Sequence, residues 1–234
     1  MNIRDRISIY LFTIVGVLSA LTYSCKKSDD TNPPAGNTVT DIDGNVYHTV
    51  TIGTQTWMVE NLKTTKYYDG TSIPNVTDAT WTGLTTPAYC CYNNANSNKA
   101  TYGALYNWYA INTGKLCPLG WHVPTNTEWI TLATYLGGES VAGGKLKEKG
   151  TTHWKNPNTG ADNTSGFTAL PAGYIGGNGL FLYLGDYGYW WSSSESGGTF
   201  AWGNGIKFDG IAVDRNTGNK LVGFSVRCIK SSVD

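Results

Sequence analysis

The most regular segment of this chain begins at Thr125, where the sequence carries a helix start signal. Glu128 follows three residues later, the capping-box spacing in which each side chain accepts a hydrogen bond from a free N–H of the first turn. Four apolar residues then recur at helical spacing: Trp129, Leu132, Ala133 and Leu136. Gly137 and Gly138 end the pattern. The sequence therefore predicts an amphipathic helix that buries one apolar face.

A second helical pattern precedes this one. Aromatic and apolar residues recur with the same period at Tyr102, Leu105, Tyr106 and Tyr109, and Trp108 widens the stripe. We therefore predict a first helix over this segment. The preceding residues, 64–100, are rich in turn formers and aromatics, and little regular structure is expected there.

The chain opens its globular part with a β pattern. Residues 46–52 alternate as a strand should, residues 53–55 turn the chain, and residues 56–59 return. This order predicts a β-hairpin. Residues 41–45 form a polar turn before it, because Asp, Gly and Asn favour turn conformations.

From Gly143 onward the sequence is mostly strand and loop. Residues 190–194 are a predicted strand, and the Asp209-Gly210 dipeptide predicts a hairpin between residues 206–208 and 211–213. Asn216-Thr217-Gly218-Asn219 is expected to turn the chain into a last strand at 221–229. Two helices, a mainly antiparallel twisted sheet and long loops predict an α+β fold.

The N-terminus has the layout of a secretory signal peptide. Arg4 and Arg6 precede an apolar run at residues 7–24, and a small serine precedes Cys25. A cysteine at the cleavage site resembles a lipoprotein signal, so residues 1–24 are the predicted signal peptide and Cys25 is the predicted lipid-attachment residue. The alternative is an uncleaved membrane helix, which would span about 27 Å, just short of a hydrocarbon core.

A polar segment rich in Pro and Gly follows, and residues 25–40 are predicted to be the lipidated cysteine and a flexible tether. Its Lys26-Lys27-Ser28-Asp29-Asp30 run resembles the surface-export signal of Bacteroidetes lipoproteins; a solvated linker is the alternative reading. Residues 41–230 have a globular composition and suit one domain. The expected location is the cell envelope, lipid-anchored in the outer membrane and exposed on the surface.

Charge and cysteine content restrict the partners and the chemistry. A formal net charge of zero argues against nucleic acid, which requires a basic face. An exported location permits disulfides, and a bridge between Cys117 and Cys228 would close a long loop that covers more than half of the domain. Cys90 and Cys91 are adjacent and are either free and buried, or one of them pairs elsewhere. No Cys-x-x-Cys spacing indicates a zinc or redox site.

An ordered set of motifs resembles the Fibrobacter succinogenes major paralogous domain. The resemblance covers roughly residues 41–230, and that family occurs in exported proteins of the Bacteroidetes and Fibrobacteres, with an undefined biochemical role. The motifs are Gly103-Ala104-Leu105-Tyr106-Asn107-Trp108, Cys117-Pro118-Leu119-Gly120-Trp121-His122-Val123-Pro124-Thr125, Glu128-Trp129, Ser165-Gly166-Phe167, Ala169-Leu170-Pro171, Trp190-Trp191-Ser192-Ser193 and Gly223-Phe224-Ser225-Val226-Arg227-Cys228.

A second resemblance concerns residues 122–129, which are similar to the Arg-Leu-Pro-Thr-x-x-Glu-Trp signature of formylglycine-generating, sulfatase-modifying enzymes. It implies their C-type-lectin-like fold, but fold does not carry function with it. Those enzymes hold copper with two neighbouring cysteines. Only Cys228 lies near the C-terminus here, and we expect it to be bonded to Cys117. An oxidase of this type is therefore the alternative rather than the main interpretation.

Other catalytic or metal sites find little support in the sequence. His48, His122 and His153 lie far apart without ligand spacing. Asn156-Pro157-Asn158 is faintly similar to the loop of calcium-dependent lectins, but it lacks the carboxylate that calcium prefers, and a turn is the favoured reading. We expect no catalytic residues, no metal site and no cofactor.

The aromatic, glycine-rich segment at residues 173–191 is the strongest candidate for a ligand-binding region. Flat rings with amide and carboxylate neighbours stack on sugar faces or form protein interfaces; the alternative is that they fill the core. The ligand-binding candidates are Tyr174, Tyr183, Asp186, Tyr187, Trp190 and Trp191. The hypothesis is a non-catalytic, surface-anchored recognition module for glycan or protein. Its rivals are the oxidase and a purely structural adhesion component.

Overall fold

The structure, a computed structural model, describes residues 37–232. The predicted signal peptide and the lipid-attachment residue Cys25 lie outside that range, as does most of the predicted tether. Residues Thr38–Thr40, which were expected to end the tether, instead form the first strand and pair with residues 46–48. Among the described residues, no helix combines the length and the hydropathy needed to cross a membrane.

The described residues form an α+β fold of short elements. The helices are α1 (Asn96–Tyr102), α2 (Trp108–Ile111), α3 (Asn126–Tyr135) and α4 (Glu139–Leu146), with 3-10 helices at Asp78–Trp81 and Tyr92–Asn94. The strands are β1 (Thr38–Thr40), β2 (Val46–Ile52), β3 (Gln55–Met58), β4 (Tyr89–Cys90), β5 (Leu105–Asn107), β6 (Trp121–His122), β7 (Tyr174–Ile175), β8 (Phe181–Leu182), β9 (Tyr187–Gly197), β10 (Phe200–Lys207), β11 (Val213–Asn219), β12 (Gly223–Phe224) and β13 (Ile229–Lys230).

These strands form three sheets whose paired strands are antiparallel. The first has the order β1-β2-β3-β13-β6, the second β9-β10-β11, and the third β4-β5-β12-β7-β8. The predicted opening hairpin is confirmed as β2 and β3, with Val50 opposite Trp57 and a two-residue turn. The prediction of an α+β fold with a mainly antiparallel sheet is confirmed.

The capping-box helix is also confirmed, as α3. The Thr125 hydroxyl accepts a hydrogen bond from the Glu128 N–H at 3.2 Å, and the Glu128 carboxylate accepts one from the Thr125 N–H at 2.7 Å. Its apolar stripe is buried, and the rings of Trp57 and Trp129 lie 4.9 Å apart between α3 and the first sheet. The local signal at this helix therefore agrees with the tertiary packing.

The Glu128→Ala substitution is expected to lower the free energy of unfolding by about 1 kcal/mol at pH 7. Partial burial acts to raise the pKa of Glu128, but the hydrogen bonds from His122 and Thr125 outweigh it, and the pKa lies below its ordinary value of 4.5. A carboxylate with a lowered pKa stabilises the fold above its unfolded pKa, and that contribution disappears as the pH falls through the folded pKa. The difference between wild type and variant should therefore shrink below pH 4.5.

Urea unfolding followed by tryptophan fluorescence, at pH 7 and at pH 3, measures this difference. Glu139→Ala is the matched control, because Glu139 is a more exposed carboxylate in the first turn of α4 and caps no backbone N–H. A stability difference for Glu128→Ala that is the same at both pH values would contradict the prediction.

The predicted helix over residues 102–109 is wrong. Gly103 ends α1 with a φ of +81°, and a Cβ there would lie 2.6 Å from the Cβ of Asn61. The chain then extends as β5, which pairs with β4 on one side and β12 on the other. Leu105 and Tyr106 are both buried although they are neighbours, because β5 is covered on both faces. Pairing on two sides overrides the helical period here.

Three further elements of the C-terminal half differ from expectation. Residues 216–219, predicted as a turn, belong to β11 and pair with β10. The single strand predicted at residues 221–229 is two short strands, β12 and β13, in different sheets. Helix α4 was not predicted, because Gly143 and Gly144 have poor helix propensity, yet α4 buries Ala142 and Leu146.

A disulfide between Cys117 and Cys228 joins the segment before β6 to the segment before β13, 111 residues apart. The expected pairing is therefore present. Cys90 and Cys91, for which two states were open, are both free and buried. Burial raises the pKa of the Cys90 thiol well above its ordinary range, so this thiol is protonated.

Candidate ligand-binding groove

One face of the second sheet gathers residues from three strands. Side chains in a strand alternate between faces, so every second residue lies on the same side. Strand β10 places Gly203 and Gly205 at the centre of this face, and their cross-strand partners are Trp191 and Tyr189 in β9, with Asn216 and Asp214 in β11. All of these except the buried Trp191, together with Asn204, Thr217, Gly218 and Phe224, line a groove of about 190 Å³, which we call the glycine groove.

The glycines of this face are needed because aromatic rings lie directly over them. A Cβ on Gly205 would be 2.9 Å from the Tyr189 ring, and a Cβ on Gly218 would be 2.8 Å from the Trp191 ring. Phe224 covers the remaining floor, since a Cβ on Gly203 would be 3.2 Å from its ring. Glycine in a strand interior is otherwise unfavourable, and here it permits close approach of the rings to the sheet.

The rings above the glycines form a continuous stack. Tyr187 and Tyr189 lie 5.3 Å apart with an interplanar angle of 11°, and Tyr189 and Phe224 lie 5.1 Å apart at 16°. The next contact is between Phe224 and the buried Trp191, at 4.4 Å. Nearly parallel rings at these distances are offset-stacked, a favourable arrangement that also holds each ring in place. The groove is therefore preorganised on one side.

Two more tyrosines extend the stack toward solvent. Tyr174 packs edge-on against Tyr189 at 5.4 Å and lies 5.8 Å from Tyr183. Tyr183 also contacts Tyr187, at 5.3 Å, and it is 47% exposed with a φ of +64°. We call Tyr174, Tyr183, Tyr187, Tyr189 and Phe224 the aromatic stack. Its outer end is Tyr183, and its inner end meets the core at Trp191.

The other side of the groove is polar. Asp214, Asn216 and Thr217 in β11 are exposed, and within residues 37–232 Asp214 forms no salt bridge. Burial raises the pKa of Tyr189 well above its ordinary value, and the neighbouring tyrosines and Asp214 raise it further. Tyr189 therefore keeps its phenolic proton. The groove combines a neutral hydroxyl, apolar ring edges, an amide and one carboxylate.

Of the sequence-predicted residues, Tyr174, Tyr183 and Tyr187 come together in the aromatic stack. Asp186 lies nearby, but its carboxylate is paired with Lys155 at 2.7 Å, so it does not face the groove as a free acceptor. The ion pair connects the loop before β9 to the segment around Lys155, so the role of Asp186 is structural.

Trp190 and Trp191 require a correction, because both side chains have no exposed area. Trp190 lies on the face opposite the groove and donates its indole N–H to Asn61 Oδ1 at 2.8 Å. Trp191 lies beneath Phe224 and donates to the Tyr106 carbonyl at 2.8 Å. Both faces of β9 are covered at this point, so neither ring reaches a ligand. Their role is to support the sheet.

Sequence reasoning did not select Tyr189, Phe224, Asp214 or Asn216 as site residues. A usable signal was present in Gly203-Asn204-Gly205, where alternate glycines interrupt a strand pattern and mark close approach of another group. The residues opposite them could not be identified without the pairing of β9, β10 and β11.

Other candidate positions serve the fold. His122 Nε2 lies 2.9 Å from the capping carboxylate of Glu128. The Asn158 side chain donates to the Glu148 carbonyl, at 2.9 Å, and to that of Gly150, so the Asn-Pro-Asn turn is used structurally. Among the described residues, no three His, Cys, Asp or Glu side chains lie close enough together to hold a metal ion.

The fold and the groove together define an α+β domain that carries an aromatic, glycine-floored groove on an antiparallel sheet. Residues 50–230 match the Fibrobacter succinogenes major domain, and the chain belongs to that family. The resemblance inferred from the sequence motifs is thereby confirmed. No curated protein and no solved structure matches the chain.

Proposed function

We propose that this chain is a non-catalytic recognition module of the cell surface that binds carbohydrate in the glycine groove. The observation that supports the proposal is the groove itself. It sets the rings of Tyr189 and Phe224 against the polar side chains of Asp214 and Asn216, over glycines of β10 and β11 that let the rings approach the sheet closely. Sugars present both apolar C–H faces and hydroxyl groups, so they match an apolar wall facing a polar one.

The size of the groove suits a small ligand. Pockets for drug-sized ligands enclose roughly 300–1,000 Å³. The glycine groove encloses about 190 Å³, which suits one sugar unit of a glycan. Of the glycan and protein partners expected from the sequence, the glycan is therefore our choice.

The proposed setting is the outer surface of the cell envelope. The lipoprotein-like signal and Cys25 would attach the chain to the membrane, and the tether would hold the domain away from it. We further propose that the domain is a distant relative of the C-type-lectin-like fold, as the similarity of residues 122–129 to the sulfatase-modifying enzymes implies. Carbohydrate binding in the glycine groove depends neither on this location nor on this fold relationship.

The disulfide weighs against the rival oxidase. An enzyme of the formylglycine-generating kind needs two neighbouring cysteine thiolates for copper, and Cys228 is here bonded to Cys117. The other two cysteines of residues 37–232, Cys90 and Cys91, are buried, and the pKa of each thiol is raised, chiefly by burial. Protonated, buried thiols are poor nucleophiles and poor metal ligands.

The Tyr189→Ala substitution is expected to weaken carbohydrate binding at least ten-fold while the domain stays folded. It removes the ring that joins the stack to the groove, and loss of a central aromatic contact costs about 2 kcal/mol or more in a binding site. A glycan array identifies the bound sugar, and isothermal titration calorimetry then measures its affinity for wild type and variant.

Tyr135→Ala is the matched control, since Tyr135 is a 65% exposed aromatic on α3 that does not line the groove. It should bind like wild type. Circular dichroism checks the fold of both variants. The proposal fails if wild type binds no glycan on the array, or if Tyr189→Ala, still folded, binds as tightly as Tyr135→Ala.

A further inference from the structure

We propose that the glycine groove selects uncharged sugars and rejects acidic ones, with Asp214 and Asn216 recognising a pair of hydroxyl groups. This inference rests on the proposed carbohydrate binding and specifies its substrate class. It starts from the position of the two side chains, which are two residues apart in β11 and therefore lie side by side on the groove face of the sheet.

The charge of the groove is set by one carboxylate. No lysine or arginine lines the groove, and within the described residues no basic group pairs with Asp214. Lys207 belongs to the same face of β10, but its ammonium is 3.0 Å from the Asp209 carboxylate and lies over the Tyr187 ring, 5.8 Å from its centroid. An acidic sugar would bring its carboxylate toward Asp214 without a cation between them, and such like-charge contact is unfavourable.

The nearest arginine points away from the groove. Arg215 lies between Asp214 and Asn216 in sequence, and the alternation of the strand places it on the other face. There its guanidinium contacts Glu139 at 2.7 Å and lies over the Trp202 ring at 5.2 Å. The positive charge closest to Asp214 along the chain is thus neutralised on the opposite side of the sheet.

The hydrogen-bonding capacity of the pair fits hydroxyl groups. A carboxylate only accepts hydrogen bonds, whereas an amide both donates and accepts, and a sugar hydroxyl can do both. The Asp214 carboxylate can accept a hydrogen bond from one sugar hydroxyl, while the Asn216 amide N–H donates to the oxygen of the neighbouring hydroxyl. An ammonium group has no acceptor for the Asn216 N–H₂, and a sugar carboxylate has no proton for Asp214. Neutral vicinal hydroxyls satisfy both side chains.

The aromatic residues of the groove can contact the apolar C–H face of the same sugar. Tyr189, from β9, and Phe224, which lies over Gly203 and Gly218, form the apolar part of the groove, and Tyr189 is neutral because its pKa is raised. Their apolar edges can cover sugar C–H groups, so the same ligand contacts both walls. The groove therefore holds one neutral sugar unit with its hydroxyls toward β11.

Affinity electrophoresis of the purified protein tests the inference, with neutral polysaccharides (glucan, xylan, mannan and galactan) and acidic ones (polygalacturonate and alginate) in the gel. Wild type should be retarded by at least one neutral polysaccharide and by neither acidic one. Asp214→Ala should lose at least ten-fold in affinity for that neutral polysaccharide, because a hydrogen bond to a charged group is lost. Asp162→Ala, which removes an exposed carboxylate outside the groove, is the control and should leave binding unchanged.

The outcomes separate the two proposals. Retardation by an acidic polysaccharide, or unchanged neutral binding by a folded Asp214→Ala variant, overturns the selectivity while carbohydrate binding itself stands. Preference for a cationic polymer such as chitosan over every neutral polysaccharide overturns it as well. If wild type is retarded by none of these polymers and binds nothing on the glycan array, the proposed function falls and the selectivity falls with it.

Discussion

Replacing Cys117 and Cys228 together by alanine is expected to lower the free energy of unfolding by about 4.7 kcal/mol. The two residues are 111 positions apart, so their bond restricts the unfolded chain over more than half of the described domain. In the chain-entropy model the stabilisation grows with the length of the closed loop, and a loop near 100 residues lies at the upper end.

Guanidinium denaturation of wild type and the double variant, followed by circular dichroism, measures the loss. Cys90→Ala is the matched control, because it removes one buried thiol and no cross-link, and it should cost only about 1 kcal/mol. Reduction of the wild type should reproduce the double variant. A loss below that of the control would mean that the bond does not constrain the unfolded chain.

Lys147→Met is expected to lower the free energy of unfolding by about 3 kcal/mol. Lys147 is completely buried, and its ammonium donates to the carbonyls of Thr159 at 2.9 Å and Gly210 at 2.8 Å. It also reaches the carbonyls of Lys207 at 3.2 Å and Phe208 at 3.4 Å. Methionine keeps the approximate length of the side chain but cannot donate, so buried acceptors lose their partner.

The location of Lys147 makes this substitution informative about the groove. The carbonyls that it binds belong partly to residues 207–210, in the connection between β10 and β11, and those strands carry the glycine groove. Loosening this connection should therefore weaken ligand binding as well as stability. Thermal unfolding and calorimetry on the same variant measure the two effects separately.

Lys155→Met is the matched control for Lys147→Met. Lys155 is 59% exposed and pairs with Asp186 at 2.7 Å, and an exposed ion pair contributes only about 0–1 kcal/mol. A Lys147→Met variant that unfolds no more easily than Lys155→Met would contradict the prediction. It would show that the four carbonyls find other partners.

Local signals predicted the elements that need only their own neighbours. The capping box at Thr125 and Glu128 satisfies backbone groups within one turn, so the start of α3 follows from the sequence. The β2–β3 hairpin follows in the same way, from alternation on both sides of a short turn. The family resemblance rests on motifs that are contiguous in sequence, and the match over residues 50–230 agrees with it.

Elements that depend on distant partners were predicted less well. The helical spacing of Tyr102, Leu105 and Tyr106 is real, yet Leu105 and Tyr106 lie in a strand because β4 and β12 hydrogen-bond to it from both sides. Residues 216–219 read as a turn because Asn and Gly dominate them, but β10 supplies a pairing edge that extends β11 through them. In each case the competing hydrogen bonds come from residues far away in the sequence.

The residues of the candidate site likewise fall into those that the sequence indicated and those that only the structure revealed. The sequence by itself pointed to the aromatic segment and placed Tyr174, Tyr183 and Tyr187 in it, because rings beside glycines are visible as a local pattern. Only the tertiary structure buried Trp190 and Trp191, brought Phe224 onto Gly203, and set Asp214 opposite Tyr189. The physical reason is that a sheet face is assembled from separate strands, and its register is decided by backbone pairing and core packing rather than by neighbours along the chain.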